Sequence, residues 1–562
     1  MIKYIHFTII LFFFAQISTA QQVQKNDYHS PLGIPLILAS NFGELRPNHF
    51  HMGLDFKTNG RIGYNIYSIE DGFVSRIKIS PYGYGKVIYI DHPNGITSVY
   101  AHCSEFKGEI AELIKNTQYK EQNYAVEIFP KKNQLSVKRG QVIAISGNTG
   151  GSSAPHLHFE LRETKTEQAL NPLIYGFDIA DHKKPEIRNI KVYGLTKDGY
   201  RFPTKSKLNT VYKGKTMFYI SENKLIVPAH FLSKSGGLGF AFDVIDRFDG
   251  AGNKCGLYAS YLIIDNDTVF GQKINKVPFE STRYVNSHKD YYEYAHKKRK
   301  FHKSFRTNEN SLPIYTEEEL GVFHSKPGST HEVQFVAFDA KGNKSILKFK
   351  LVILSGEINK MDKIETDSSY LLPNETMLIR KNNTEIEFGR TTTYEPIKID
   401  RSKIEYSIGS PEIPVQKAYK IKISGDFKSN NYYMDITTAK NRHRSILALY
   451  DDSLLVFEPK YFGKYSIKKD ETNPTVTPIN FKNSSTQLNG KVLKWKIADR
   501  QTSISDYDLF INGEWVLLEF DAKRATITYT RELSFKGEKE LKLIVVDSCG
   551  NQTTWTKKLK FN

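Results

Sequence analysis

Cysteine is scarce in this chain: only three of its 562 residues, at positions 103, 255 and 549. An odd number of widely separated cysteines allows one bridge at most, which excludes a small scaffold held together by disulfides. Cys103 directly follows His102, but no second cysteine lies near it. We therefore predict that Cys103 is a small buried side chain rather than a nucleophile or a metal ligand.

Long apolar runs are also nearly absent. One run extends from Tyr4 to about Ile17, between a basic start and the small residues Ser18-Thr19-Ala20. This pattern is typical of a secretory signal peptide, so residues 1–20 are predicted to be removed on export. An uncleaved anchor is the alternative, but the run is shorter than the ~20 residues that cross a bilayer. The mature chain is expected to have no transmembrane span and to be periplasmic, attached to the cell envelope or secreted.

Acidic residues are outnumbered by basic ones, with 61 Asp and Glu against 79 Lys and Arg, a formal net charge of +18. Such a surplus suits an anionic polymer as partner. Nucleic acid is one such polymer, but the predicted export and the lack of a recognisable nucleic-acid-binding motif argue against it. Cell-wall glycopeptide also carries carboxylates and is another anionic polymer that would suit the charge.

Two short stretches contain the residues best suited to chemistry. His156 and His158 are spaced i, i+2 in an alternating apolar run, so both rings leave the same face of a strand. His51 and Asp55 are spaced i, i+4, which also lies on one face of a strand, and Gly53 disfavours a helix there. Two histidines and one carboxylate, with a fourth position left for water, are the ligand set of a catalytic zinc rather than of a closed structural site.

Further motifs accompany these stretches, and their order along the chain is informative. They are Phe42-Gly43-Glu44-Leu45-Arg46, His51-Met52-Gly53-Leu54-Asp55, Tyr100-Ala101-His102, Gly147-Asn148-Thr149-Gly150 and His156-Leu157-His158-Phe159-Glu160. In this combination, residues 30 to 178 resemble the lysostaphin/LytM-type zinc endopeptidases. Carried over position by position, the resemblance implies that His51, Asp55 and His158 bind one zinc ion and that His102 and His156 are the catalytic pair.

The resemblance implies a function as well as a site. It implies an exported zinc metalloendopeptidase that hydrolyses peptide cross-links of bacterial peptidoglycan, and by analogy we favour D-alanyl-diamino-acid links over glycine bridges. Because no HExxH glutamate is present, His102 and His156 are expected to handle the proton and the oxyanion, in an order that stays open. A non-enzymatic regulator of wall amidases and a structural or adhesive scaffold are the alternatives, and retention of all five positions argues against the regulator.

The length of the chain indicates three to five domains. We predict an all-β protein: an antiparallel peptidase domain over residues 21–178, an Ig-like β-sandwich over 179–355 with an insertion at about 267–330, a β-rich module of unknown type over 356–469, and a second Ig-like sandwich over 470–562. The Ig-like interpretation rests on a repeat in which each copy has an opening Asp and Pro, a central Asp-Arg and a closing DxxGN turn. These modules are expected to position the cleft or to bind a protein partner.

Three local features remain. Apolar residues at helical spacing between positions 106 and 114 predict a short amphipathic helix within 104–138. The oxygen-bearing residues Asp246, Asp249 and Asn253 suggest calcium, but their spacing is not that of an EF-hand, so a turn is favoured. Residues 291–303 interleave aromatic and basic side chains as glycan-binding or nucleic-acid-binding surfaces do, but a solvated insertion is the preferred interpretation.

Overall fold

The computed structural model describes residues 27–561, apart from positions 215–216, 362, 365, 428, 430, 452, 483–486, 489 and 532–535. The predicted signal peptide therefore lies outside the described residues. Within them, no helix has both the length and the apolar character needed to cross a membrane. Antiparallel sheets dominate the chain, which confirms the predicted all-β class.

The first sheet has ten strands, all paired antiparallel. Its strands, in spatial order, are Leu38–Ser40, Leu54–Lys57, His156–Glu163, Ile96–Cys103, Lys86–Asp91, Gly72–Ile79 and Glu127–Ile128, with Ser136–Val137, Ala169–Leu170 and Lys276–Val277 paired at its margins. Apolar and polar side chains alternate along the strand His156–Glu163, which lies near the centre of the sheet. Leu157, Phe159 and Leu161 are fully buried in the core on one face, so the polar side chains between them share the other face.

A smaller sheet and one helix complete this part of the chain. The sheet has the order Asn65–Tyr67, Val142–Ile145 and Glu105–Phe106. The helix, Gly108–Glu121, confirms the predicted amphipathic segment, since Ile110 and Ile114 are buried beneath it. Cys103 is fully buried and unpaired, as predicted, and burial raises the pKa of its thiol to about 12.

Residues 186–353 form two packed sheets. One has the order Arg201–Thr210, Glu186–Leu195, Gly237–Ile245 and Phe301–Lys303; the other has Tyr212–Lys213, Phe218–Tyr219, Lys344–Ile353, Thr330–Phe338, Ala259–Ile264 and Asp267–Lys273, with Lys224–Val227 added parallel to Lys344–Ile353. Phe242 and Phe335 stack across the interface with ring centroids 3.6 Å apart. The two sheets therefore share one buried core, as in a sandwich.

The basic and aromatic stretch 291–303 belongs to this part and is solvated only in part. Tyr292, Lys297 and Lys298 are exposed, whereas Glu293 and the strand Phe301–Lys303 are buried. Helices Val285–His288 and Tyr291–Lys297 precede this strand. Lys191 explains the burial of two acidic side chains, because its Nζ lies 2.9 Å from Asp290 and 3.2 Å from Glu293.

The rest of the chain is built in the same way. Residues 370–469 contain the pair Tyr370–Leu371 with Ile397–Lys398, the sheet Met377–Lys381, Thr384–Phe388, Lys420–Ser424, Leu454–Phe457 and Leu449–Asp451, and the sheet Ser407–Ile408, Gly463–Lys469, Tyr432–Thr438 and Arg442–Leu447. Residues 475–561 contain the sheet Thr475–Pro478, Val492–Ala498, Thr526–Thr530 and Glu519–Asp521, and the sheet Gln487–Leu488, Gln552–Phe561, Gly537–Asp547, Ile504–Ile511 and Glu514–Val516. Single 3-10 turns are Pro172–Ile174, Ser221–Asn223, Ala229–Phe231, Thr282–Tyr284, Arg401–Lys403 and Ala439–Asn441.

The repeat noted in the sequence corresponds to equivalent strands. Glu186–Leu195 pairs with Gly237–Ile245 in the first copy, just as Thr475–Pro478 pairs with Val492–Ala498 in the second. The closing hairpins, Thr330–Phe338 with Lys344–Ile353 and Gly537–Asp547 with Gln552–Phe561, are likewise equivalent. The buried apolar side chains of the second copy also join the hydrophobic cluster of the first sheet, so the last part of the chain packs against the first part.

Candidate metal centre

The central strand His156–Glu163 brings the predicted residues together. It pairs on one side with Leu54–Lys57, where His158 lies opposite Asp55, and on the other with Ile96–Cys103, where His158 lies opposite Ala101. Gly53 permits the close approach of the chain that carries His51, because a Cβ at this position would lie 2.4 Å from the carbonyl oxygen of Phe159. The His51-Met52-Gly53 spacing thus places His51 beside the sheet.

Three ligand atoms converge at one point on this face. His51 Nε2 lies 3.1 Å from Asp55 Oδ1 and 3.1 Å from His158 Nδ1, and His158 Nδ1 lies 2.9 Å from Asp55 Oδ1. Both histidines are buried, with exposed fractions of 7% and 5%. Two imidazole nitrogens and one carboxylate oxygen at these separations can hold a metal ion.

The tautomers of both histidines are set by partners on the side away from this point. His51 Nδ1 donates to the carbonyl oxygen of Asn41 at 2.8 Å, which leaves the Nε2 lone pair free. His158 Nε2 donates to Glu160 Oε1 at 2.8 Å, which leaves Nδ1 free. Each histidine therefore presents a lone pair to the point where the ligand atoms meet.

Sequence reasoning quoted Glu160 within a motif but assigned it no role, and it missed Tyr84 and Arg162 altogether. Glu160 is fully buried, accepts from Arg162 Nε at 2.8 Å and also accepts from the Tyr84 hydroxyl. The signal in the sequence was the spacing: His156, His158, Glu160 and Arg162 alternate along one strand and so share a face. This row links the metal centre to a buried carboxylate and its guanidinium partner.

The charges of the centre favour a cation. Burial raises the pKa of Asp55, but His51, His156 and His158 outweigh it and hold the pKa well below its usual value. Burial lowers the pKa of His158, yet Asp55 and Glu160 raise it to about 9, so a metal ion that binds here displaces a proton from Nδ1. Two carboxylates that attract a proton to His158 attract a metal ion to the same place.

We expect Glu160→Gln to weaken metal binding by about tenfold. The amide still accepts a hydrogen bond from His158 but removes the negative charge that makes the imidazole a better ligand. Competition with a coloured chelator measures the change in affinity. The control is Glu163→Gln, which alters a carboxylate at the end of the same strand that hydrogen-bonds Thr166; equal affinity in Glu160→Gln and the unaltered chain would contradict the assigned role.

His102 and His156 lie beside the ligand atoms. Their ring centroids are 4.8 Å apart, and His156 Nε2 lies 3.4 Å from Asp55 Oδ1. His102 Nδ1 donates to the carbonyl oxygen of Thr149 at 2.9 Å, and His156 Nδ1 lies 2.8 Å from that of Ala154. Both rings are thus oriented through Nδ1, with Nε2 left for chemistry.

His102 has two further properties of a functional residue. Its φ of 62° lies in the left-handed region, which costs a non-glycine residue about 1 to 3 kcal/mol and is concentrated at functional sites. Burial, together with His158 and His156, lowers its pKa to about 3. His102 is therefore a neutral imidazole near neutral pH, with an unprotonated Nε2.

The loop 147–153 connects the two histidines. Thr149 accepts the hydrogen bond from His102, and the loop then leads into the strand that begins at His156. Gly150 has φ +67° and lies against Gly85, where a Cβ would come within 2.3 Å of the amide nitrogen, so only glycine fits. The Gly-Asn-Thr-Gly motif is a turn that orients both rings.

Downstream parts of the chain flank the site on two sides. On one side, the buried Lys289 donates to the carbonyl oxygens of Arg46 and Pro47 at 2.6 and 2.9 Å, just before His51. On the other, Lys523 Nζ donates to the carbonyl oxygens of Asn148 and Ser152, the latter at 3.0 Å. Residues far along the chain therefore support the segments that hold His51 and His156.

This part of the chain is similar to known proteins. Residues 49–172 match the model of peptidase family M23, and all five predicted site residues lie within the match. The peptidoglycan DD-endopeptidase ShyB of Vibrio cholerae is 36% identical over 111 residues, which are 20% of this chain and 20% of ShyB. The glycyl-glycine endopeptidase ALE-1 of Staphylococcus capitis is 25% identical over 213 residues, 36% of this chain and 49% of ALE-1.

A solved structure is also similar to this region. The catalytic domain of the prophage-encoded M23 protein EnpA of Enterococcus faecalis is 26% identical, covers 26% of this chain and 95% of its own, and has a TM-score of 0.20. This chain spans between about a fifth and a half of the length of ShyB and ALE-1. The likeness is therefore to one domain of each relative.

Proposed function

We propose that the peptidase family M23 domain carried by this chain is a zinc metalloendopeptidase that hydrolyses peptide cross-links of bacterial peptidoglycan. The observation that carries the proposal is the convergence of His51 Nε2, Asp55 Oδ1 and His158 Nδ1 beside a second pair of histidines. The named activities of ShyB and ALE-1 support the substrate class. By analogy with ShyB, the bond that we propose is the D-alanyl-diamino-acid link.

The donor set fits zinc. Two neutral imidazoles and one carboxylate are the ligands of catalytic zinc sites that keep a position open, and both imidazoles have their second nitrogen fixed by an outer partner. Zinc in such a site lowers the pKa of a bound water to ~7 and polarises a carbonyl. We assign His51, Asp55 and His158 as its ligands.

His102 and His156 complete the proposed chemistry. His102, held through Nδ1 by the carbonyl oxygen of Thr149, presents an unprotonated Nε2 and is the proton acceptor that we propose as the peptide carbonyl is attacked. His156, held through Nδ1 by the carbonyl oxygen of Ala154, faces the same space and in its doubly protonated form is suited to donate a hydrogen bond from Nε2 to the oxyanion. Both act from fixed ring positions, so no reorganisation is needed during the reaction.

The organisation that we propose for the whole chain places this domain first. Residues 21–178 form the peptidase domain, 179–355 and 470–562 form Ig-like sandwiches, and 356–469 form a further β-module, after a signal peptide at 1–20 that directs export to the cell envelope. The shared cores and the equivalent strand pairings support the two sandwiches. The surplus of basic residues supports an anionic wall polymer as substrate.

Purified peptidoglycan digested with residues 21–562 tests the proposal. We expect soluble peptides with new amino ends on the diamino acid, identified by mass spectrometry, and we expect a chelator to stop their release and added zinc to restore it. Products that end in glycine would support the endopeptidase activity but would show that the bond cleaved is a glycine bridge. No released fragment from a preparation with stoichiometric zinc would contradict the proposal.

A further inference from the structure

Three buried aspartates meet at one end of the sandwich 186–353, away from the residues described above. Asp181 precedes the strand Glu186–Leu195, Asp246 follows Gly237–Ile245, and Asp339 follows Thr330–Phe338. One carboxylate oxygen of each lies within 4.8 Å of the others. Their exposed fractions are 8%, 1% and 2%, so the cluster is removed from solvent.

Nearby basic side chains do not neutralise this cluster. Lys183 Nζ donates to the carbonyl oxygen of Phe248 at 2.9 Å, and Arg247 pairs with Glu186 at 2.6 Å. Among the residues that the structure describes, none of the three carboxylates takes part in an ion pair. The cluster therefore attracts positive charge.

Two oxygens of the cluster also lack a hydrogen-bond donor. Asp246 Oδ1 and Asp181 Oδ2 are buried and unpartnered within the described part of the chain. Asp339, in contrast, is held in place, because its Oδ1 accepts from the amides of Lys341 and Asn343 at 2.8 and 2.9 Å. Buried carboxylate oxygens without donors are costly, and a cation satisfies them where the protein supplies no hydrogen.

The second copy of the repeat provides an internal comparison. Asp470, Asp499 and Asp547 form an equivalent cluster, and Asn551 bonds the carbonyl oxygen of Asp470 as Asn343 bonds that of Asp181. There, however, the Thr502 hydroxyl donates to Asp470 Oδ2 at 2.9 Å. Asp249 stands at the position of Thr502 in the first copy and donates nothing to the cluster. The two copies thus differ in whether the protein itself satisfies the carboxylates.

We propose that Asp181, Asp246 and Asp339 bind a calcium ion. The donors are all oxygen, which suits a hard cation and not zinc, and calcium accepts irregular oxygen shells where magnesium requires a nearly ideal octahedron. Asp181 lies between the M23 domain and the first strand of the sandwich, whereas Asp246 and Asp339 follow strands of its two sheets. The ion therefore ties the junction of these two parts to both sheets.

The sequence alone pointed to different calcium ligands. It suggested Asp246 with Asp249 and Asn253, and the structure shows that this stretch is a turn, closed by the bridge between Asp246 and Cys255, as the favoured interpretation predicted. Asp249 instead pairs with the exposed His182 at 2.6 Å. Asp249 is accordingly the control residue for the test.

The experiment uses residues 21–562, freed of calcium with EGTA, separated from the chelator and then reloaded with one equivalent of zinc. Isothermal titration with CaCl2 is expected to give one calcium ion per chain. Calcium at a concentration one hundred times its Kd is expected to raise the Tm of this part, measured by scanning calorimetry, by about 5 °C. Asp246→Asn is expected to weaken calcium binding by at least about tenfold, because one charged ligand is lost. Asp249→Asn is expected to bind calcium unchanged.

Several outcomes would overturn the site. They are the absence of both heat and Tm shift in the unaltered chain, undiminished binding in Asp246→Asn, and tighter binding of MgCl2 than of CaCl2. Asp246→Asn relieves a repulsion and is expected to fold; should it fail, Asp181→Asn replaces it with the same expectation. Neither readout depends on peptidoglycan hydrolysis, so the result is independent of the proposed function.

Discussion

Replacing His158 by alanine is expected to remove both the metal and the activity. His158 Nδ1 is one of three ligand atoms, and it lies between Asp55 at 2.9 Å and His51 Nε2 at 3.1 Å. Two remaining ligands hold zinc weakly, and loss of the ion removes several kcal/mol of stabilisation of the reacting carbonyl and water. We therefore expect less than one-tenth of the original zinc content and at least about a 10³-fold fall in peptide release.

The measurement is zinc by mass spectrometry alongside the digestion of peptidoglycan. The fold is expected to survive, because Glu160 keeps its bonds with Arg162 and Tyr84 when His158 is shortened. His49→Ala is the matched control, since this exposed histidine lies two residues from His51 and contributes no ligand atom. Stoichiometric zinc in His158→Ala would refute the assignment.

Replacing the second histidine pair is expected to separate binding from catalysis. His156→Ala and His102→Asn should retain zinc but reduce the rate of cross-link cleavage by about 10² to 10⁴-fold, the usual contribution of general acid–base groups. Asparagine is chosen at position 102 because it tolerates the positive φ of this residue better than alanine does. We expect kcat to fall while the zinc content stays the same.

Rates on a soluble cross-linked muropeptide, with zinc content measured on the same samples, test this separation. The pH profile of each variant then distinguishes the two roles, since loss of the base alters the acid limb of the rate profile and loss of a protonated oxyanion donor alters its basic limb. A variant that keeps more than a tenth of the original rate would exclude its residue from the chemistry. A variant that loses zinc would belong with the ligands instead.

Local spacing explains what the sequence was able to predict. His156 and His158 alternate on one strand and His51 and Asp55 share a short segment, so period-two geometry pointed to these four residues, whereas His102 and the individual roles were implied by the resemblance to the lysostaphin/LytM-type family. The same alternation extends to Glu160. Its role could be assigned only from the structure, because its partner Tyr84 lies in the loop between the strands Gly72–Ile79 and Lys86–Asp91. The β class followed from short runs separated by turn residues in the same local way.

Contacts between distant segments explain what could not be predicted. Asp181, Asp246 and Asp339 lie far apart in sequence and meet because one strand begins and two strands finish at the same end of the sandwich, so close spacing along the chain did not reveal them. The stretch 291–303 resembles a solvated charge run, yet Lys191 on a neighbouring strand accounts for the burial of Glu293 within it. Burial of charged groups depends on the partners that the fold supplies, which no local pattern reports.

The contact of Lys523 with the loop 147–153 joins a late part of the chain to a part that is synthesised early. Translation delivers His51 and His158 hundreds of residues before Lys523, and domains fold from the N-terminus as the chain emerges. Until Lys523 arrives, the carbonyl oxygens of Asn148 and Ser152 lack the cation that holds them. A chain that ends before Lys523 therefore lacks one of the supports of this loop, while Thr149 and Gly151 keep their hydrogen bonds to residues 83–103.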